Sequence, residues 1–245
     1  MDVIRWHEQT REQLSAVLPD ALVVLPVGAT EQHGPHLATG TDALLAETAA
    51  SRAAARAAAS SPRPLVLTPT LPFGASDHHL PFGGTLSLRA ETLLDVLVDV
   101  IRSIARCGGR RLVIVNGHGG NRGICSAAAA AASVRYPIAV GYLDYWDAAT
   151  EADLRGTPLP GHAGGFETSL VLAVAPHWVG ERTERVDVPS VPAVDGIELH
   201  RQASWHEQGG FTDEPARATA EMGREWLDHL VDRLADRLVE LAKAL

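Results

Sequence analysis

Ala21-Leu22-Val23-Val24-Leu25-Pro26-Val27, followed by Gly28, is a continuous apolar run rich in β-branched residues that stops at a glycine. A run this short with no polar alternation reads as a strand buried on both faces, opening into a loop. Three more stretches share the pattern: Pro64 to Pro69, Arg111 to Val115 and Ile138 to Leu143. Between them lie helical segments. Asp42 to Ala58 is alanine-rich, with Thr41 or Asp42 available to cap its first turn, and Ala90 to Cys107 is strongly amphipathic and ends at Gly108-Gly109. Asn121 to Val134 reads as a further helix, and Glu167 to Val174 begins another after a glycine-containing loop. Strand and helix alternate, which predicts an α/β fold: three layers, α/β/α, around a mostly parallel central sheet. The pattern weakens from about Val179, Val186 to Thr212 reads as loop-rich, and Glu214 to Leu245 resumes as a long helical stretch. With no internal repeat and no linker, residues 1–245 are expected to form one domain.

Composition narrows the function. The chain has 245 residues, 46% hydrophobic and 21% charged, enough to bury a full core. Its net charge of -9, with no basic run longer than Arg110-Arg111, argues against nucleic acid as a partner. Two cysteines, Cys107 and Cys125, make no disulfide framework and no CxxC pair, which fits a reducing cytoplasm. No stretch reaches the roughly 18 apolar residues that would span a bilayer, so no membrane role is expected. Neither a GxSxG elbow nor a phosphate-binding GxxxxGK[ST] loop is present.

The residues costly to bury gather where strands end, the place at which open α/β sheets bind ligands. Glu31 and His33 follow the first strand, two positions apart, so both side chains point the same way if the segment is extended, and Asp42 returns at a helix start. Asn116-Gly117-His118-Gly119-Gly120-Asn121 follows the third strand, its glycines allowing close approach to the backbone and Asn121 able to cap the next helix. Gly161-His162-Ala163-Gly164-Gly165-Phe166-Glu167 lies at a loop-to-helix junction. Imidazole and carboxylate donors without thiolate suit zinc, manganese or iron. His36, His78, His177 and His206 read as surface or structural histidines, and His79 is open to either reading.

At these residues the sequence resembles the creatininase (creatinine amidohydrolase) family. The resemblance runs from about Val23 to Val174 through GATEQHGPHL with the following Thr41-Asp42, NGHGGN and HAGGFETS, with His79 to Leu88 as a further segment and a weaker echo at Gly209 to Gly223. It implies a creatininase-like fold, with Glu31, His33, Asp42 and His118 as ligands of two divalent ions and Asp42 bridging them. It also implies a catalytic role for His162. This sequence has Gly120 where creatininase has a second-motif glutamate serving the second metal; Glu167 could replace that ligand or orient His162. Trp146, His79, Asn116 and Gly117 fall on the substrate side. The tryptophan nearer the catalytic histidine in creatininase has no counterpart in Arg155 to Pro160. The resemblance implies hydrolysis of a C–N bond in a cyclic or small linear amide by metal-activated water. The alternatives are cleavage of a ribosomal peptide of the mycofactocin type and a non-catalytic metal-binding scaffold. It further implies a homo-oligomer, often a hexamer.

Overall fold

The computed structural model describes residues 2–154, 156–182, 184, 192, 194–197, 199–201 and 203–245. Among them, five strands form one sheet: β1 (Ile4–Arg5), β2 (Leu22–Val27), β3 (Leu65–Leu67), β4 (Arg111–Asn116) and β5 (Ala139–Asp144). Their order is β1-β3-β2-β4-β5 and every pairing is parallel. The helices are α1 (Arg11–Val17), α2 (Thr41–Ala57), α3 (Ala90–Arg106), α4 (Arg122–Arg135), α5 (Glu151–Leu154), α6 (Gly165–Val174), α7 (Ala203–Glu207) and α8 (Ala220–Ala244). The expected strands and helices appear with ends shifted by a few residues. Edge strand β1 and the short α1, which is held by a capping box between Thr10 and Gln13, are additions. Both are too short for a periodicity to show.

Period-two alternation divides the core. Leu22 and Val24 of β2, with Val113 and Val115 of β4, face a cluster filled by α2, α6 and α8. Val23, Leu25 and Val27, with Leu112 and Ile114, face the opposite cluster filled by α3 and α4. Every side chain of β2 is therefore buried, which is why its sequence shows no polar alternation. In α3, Leu93, Leu97, Ile101 and Ile104 make one buried stripe. α8 lays Trp226, Leu227, Leu230, Val231, Leu234 and Leu238 into the first cluster, so this helix closes the chain's own core. Each such side chain contributes about 1.5–3 kcal/mol of burial. Of the stretch 186–212, residues 186–191, 193, 198 and 202 lie outside the described residues; within it, α7 is a short helix where only loop was expected.

The strand order places the site. After β2 the chain moves outward to β3, whereas β4 pairs on the other side of β2 and leads to β5, so the direction of winding reverses between β2 and β4. A crevice opens outside the carboxyl ends of two such strands. Val27 and Asn116 are register partners there, and Gly117 N–H donates to Val27 O at 2.8 Å.

Candidate metal centre

Helix α2 reaches this crevice by packing on two glycines. A Cβ on Gly28 would lie 2.5 Å from the Cα of Ala43, and one on Gly117 would lie 2.7 Å from Asp42 O. Neither position has room for a side chain, and the closeness drives the first turn of α2 into the junction of β2 and β4. Asp42 therefore does not cap its helix: the N-cap is Gly40, without a side-chain bond, and the Thr41 hydroxyl donates to Ala38 O. Asn121 stands at the N-cap position of α4 but makes no side-chain capping bond; its side chain binds Gly28 O, Ala75 N–H and Asn116 Oδ1, tying the loops together.

Glu31, His33, Asp42, His118, His162 and Glu167 converge, all buried. His33 Nε2 stands 2.9 Å from Asp42 Oδ1 and 3.8 Å from Glu167 Oε2. His118 Nδ1 is 3.1 Å from Asp42 Oδ2 and 3.3 Å from Glu31 Oε1. His162 Nδ1 lies 3.5 Å and His79 Nε2 3.6 Å from the same Glu31 oxygen. Three interlocking groups have donor atoms within 4.8 Å of one another: Glu31/His78/His118, Glu31/His33/His162 and His33/Asp42/Glu167.

Neighbouring backbone fixes each ring. His33 Nδ1–H donates to Glu31 O (3.1 Å) and His118 Nε2–H to Ala75 O (3.1 Å), leaving His33 Nε2 and His118 Nδ1 turned toward the carboxylates. Gln32 uses its two amide hydrogens on Gly210 O and His79 Nδ1, both at 2.8 Å, so His79 presents Nε2–H to the cluster. His162 Nε2–H donates to Gln32 O at 2.9 Å, which turns its Nδ1 lone pair inward.

Charge follows the same geometry. Burial opposes a charge on His33, but Asp42, Glu167 and Glu31 outweigh it and lift its pKa to about 10. His118 is also raised, with Glu31 and Asp42 overcoming burial. Burial, reinforced by the His33 and His79 rings, pushes His162 well below the usual histidine range, so it is neutral. Burial raises Glu167 to about 8 against the pull of His33. Both Glu31 oxygens, Asp42 Oδ2 and His79 Nε2 are buried with no hydrogen-bond partner among the described residues. Buried carboxylate oxygens left open among imidazole nitrogens fit a divalent cation, which would satisfy them at once.

A cavity of about 720 Å³ opens over the cluster, bordered by Gly117, Trp146, His78, His79, Arg122 and Trp205 among others. Trp146 and His79, expected at the substrate, line this cavity. Asn116 does not: fully buried beneath the floor, it donates to His118 O and to Asp144 Oδ1, both at 2.7 Å. Asp144 in turn pairs with Arg122 Nε at 2.6 Å, holding that guanidinium at the cavity wall. His36 is structural, its Nε2 3.1 Å from Thr168 Oγ1, and His177 and His206 are exposed. His78, expected to be a bystander, is at the cluster, its ring parallel to His118 within 3°. Trp205 of α7 lies 4.7 Å from the His79 ring and 5.1 Å from that of His162. An aromatic wall beside His162 therefore comes from α7, whereas residues 155–160 contain no tryptophan. Residue 155 itself lies outside the described residues. A lone tryptophan in a weakly patterned segment carries no signal of its destination.

A three-layer fold with buried carboxylates and imidazoles at its switch point defines a metal-site α/β protein. The family model Creatininase, described as creatinine amidohydrolase, matches residues 7–238. The chain is 36% identical over 237 residues to a mycofactocin precursor peptide peptidase of Mycobacterium tuberculosis, covering 94% of this chain and 88% of that protein. It is 32% identical over 225 residues to a creatinine amidohydrolase of Pseudomonas putida, covering 82% and 77%. Among solved structures, a manganese creatininase superposes with a TM-score of 0.83 at 29% identity, covering 98% of each chain. This chain belongs to the creatininase family, and with it to the hydrolases of carbon–nitrogen amide bonds.

Proposed function

We propose that the chain hydrolyses an amide bond with a pair of divalent ions, zinc, manganese or iron, held by Glu31, His33, Asp42, His118 and Glu167. The observation that carries this reading is the Glu31 carboxylate, buried with both oxygens unpartnered and with His118, His162 and His79 nitrogens 3.3–3.6 Å from Oε1. When bound, such ions polarise a carbonyl and lower the pKa of water toward about 7. Asp42 offers one oxygen toward His33 and the other toward His118, as a carboxylate shared between two ions would. His162, neutral and anchored through Nε2–H, has Nδ1 free to accept a proton and pass it to the leaving nitrogen. Glu167 Oε2 accepts Ala163 N–H at 2.6 Å and fixes the turn that aims His162; Ala163 has φ 49°, a conformation few alanines adopt. Trp146, His79 and Gly117 face the substrate.

The substrate is a peptide or an amide larger than a single ring. A cavity of about 720 Å³ lies within the ~300–1,000 Å³ range that holds drug-sized ligands. Similarity to the peptidase over 94% of the chain supports the same choice. Small cyclic amides, the substrate class of the creatinine amidohydrolase relative, are the second reading. The deciding experiment strips the protein of metal, refills it with zinc, manganese or iron, and assays short peptides beside creatinine and linear amides, with His118→Ala as control. Metal-dependent turnover of peptides supports the first reading, turnover of creatinine alone the second, and no turnover with any metal rejects hydrolysis. Assembly into a homo-oligomer, with a hexamer as the form the family resemblance implies, and a cytoplasmic location belong to this reading. Light scattering tests the first, and fractionation the second. The two cysteines are free and no described helix is long and apolar enough to cross a membrane.

A further inference from the structure

His78 lies in the 3-10 helix Asp77–Phe82, directly before His79; the two rings are 4.3 Å apart and tilted by 50°, with His79 reaching Gln32 and His162 and His78 lying parallel to His118, centroids 5.8 Å apart. His78, His118 and Glu31 each present a donor atom within 4.8 Å of the others. The His118 tautomer is already fixed by Ala75 O, so its Nδ1 is the atom offered. A second trio of donors, His33, Asp42 and Glu167, has its donor atoms within 4.8 Å of one another and shares no member with the first.

Gly120 explains why a histidine stands there. A Cβ on residue 120 would lie 2.5 Å from His118 Nε2, 3.1 Å from His78 Cε1 and in collision with Ala75 O. The segment 75–78 occupies the space that any side chain at 120 would need. A carboxylate from the NGHGGN loop is thereby excluded sterically, and the segment that excludes it delivers an imidazole to the same cluster.

We propose that His78 is a metal ligand, joining Glu31 and His118 at one divalent-ion site while His33, Asp42 and Glu167 serve the other, Asp42 turning its second oxygen toward His118. This rests on the metal-dependent reading above. A neutral imidazole added to the donor set makes the centre richer in nitrogen, which favours zinc over manganese. With three donors from the protein, the site keeps open positions for water and a substrate oxygen.

The test uses the full chain stripped of metal and loaded with cobalt. Cobalt per chain after dialysis and the visible d–d absorption of the bound ion are read for wild type, His78→Ala, His78→Asn and the exposed-histidine control His177→Ala. The proposal expects two equivalents in wild type and control. It expects one equivalent in the His78 variants, or a second site weakened at least about 100-fold, with a changed absorption band. Circular dichroism checks folding, and His78→Asn decides should the alanine variant misfold. Two equivalents with unchanged affinity and spectrum in a folded His78 variant overturn the proposal and leave the metal-dependent reading standing. A wild type that binds no cobalt overturns both.

Discussion

His118 Nδ1 lies 3.1 Å from Asp42 Oδ2, joining the loop after β4 to the first turn of α2. The pair is buried and that oxygen has no aligned hydrogen bond, so proximity here is not a finished interaction. His118→Ala and Asp42→Asn are each expected to lower bound metal measurably and to reduce turnover by about 100-fold or more, because each removes a donor from the reacting centre. Metal analysis and kcat measured together check this; full metal content with full activity in either variant would sink the assignment.

Loading should be strongly pH-dependent. His33 is raised to about 10, His118 is raised, and Glu167 is raised to about 8, so near neutrality all three hold protons that a cation must displace. Affinity should rise by roughly two to three log units per pH unit between about pH 6 and 8. Calorimetry in buffers of different ionisation enthalpy counts the protons released; release of none contradicts the charge assignment. For the metal-free fold the sign is fixed by His33. Its pKa rises on folding from 6.5 to about 10, so its stabilising contribution is complete below about 6.5 and fades as pH climbs to 10. Melting temperatures of metal-free protein should fall across that window, and less so once metal is bound.

Gly28→Ala should cost about 1–3 kcal/mol or more, since the added Cβ meets backbone atoms of Ala43 at 2.5 Å and backbone cannot swing aside. Denaturant titration gives the stability. Because the clash displaces the first turn of α2, metal affinity should fall as well, and unchanged affinity would mean Asp42 does not depend on this contact.

Asn116→Ala removes the donor shared by His118 O and Asp144 Oδ1 without touching the cavity. Such a supporting residue typically matters 10–100-fold, so metal affinity should drop by about that factor. KM for bound-metal enzyme should stay near wild type, and a change in KM alone would return Asn116 to the substrate side.

Trp205→Ala should act in the opposite way. Its ring borders the cavity beside His79 and His162, and an aromatic contact of this kind is worth about 0.5–1.5 kcal/mol beyond area burial. KM should rise about tenfold with metal content unchanged. A fall in bound metal would instead make Trp205 part of the scaffold around the ligands.

The sequence by itself determined four of the five described strands, the principal helices and the gathering of Glu31, His33 and Asp42 behind the first of those strands. β2 is buried on both faces, so its residues had to be apolar throughout, and Glu31, His33 and Asp42 stand close enough in the chain for loop geometry to bring them together. His118 was legible for a related reason: a histidine between glycines at a strand end has few other uses. Only the tertiary structure decided the remainder. His78 looked like any solvent-facing histidine until the 3-10 helix laid it along His118, forty residues away in the chain. Asn116, placed by motif at the substrate, turned beneath the floor because Asp144 of the adjacent strand needed a donor there. Trp205 reached His162 from a segment with no periodicity to read. Contacts that lie within one loop or one face leave a spacing in the sequence, whereas contacts between distant loops leave none, because they are set by where the sheet and its helices bring those loops together.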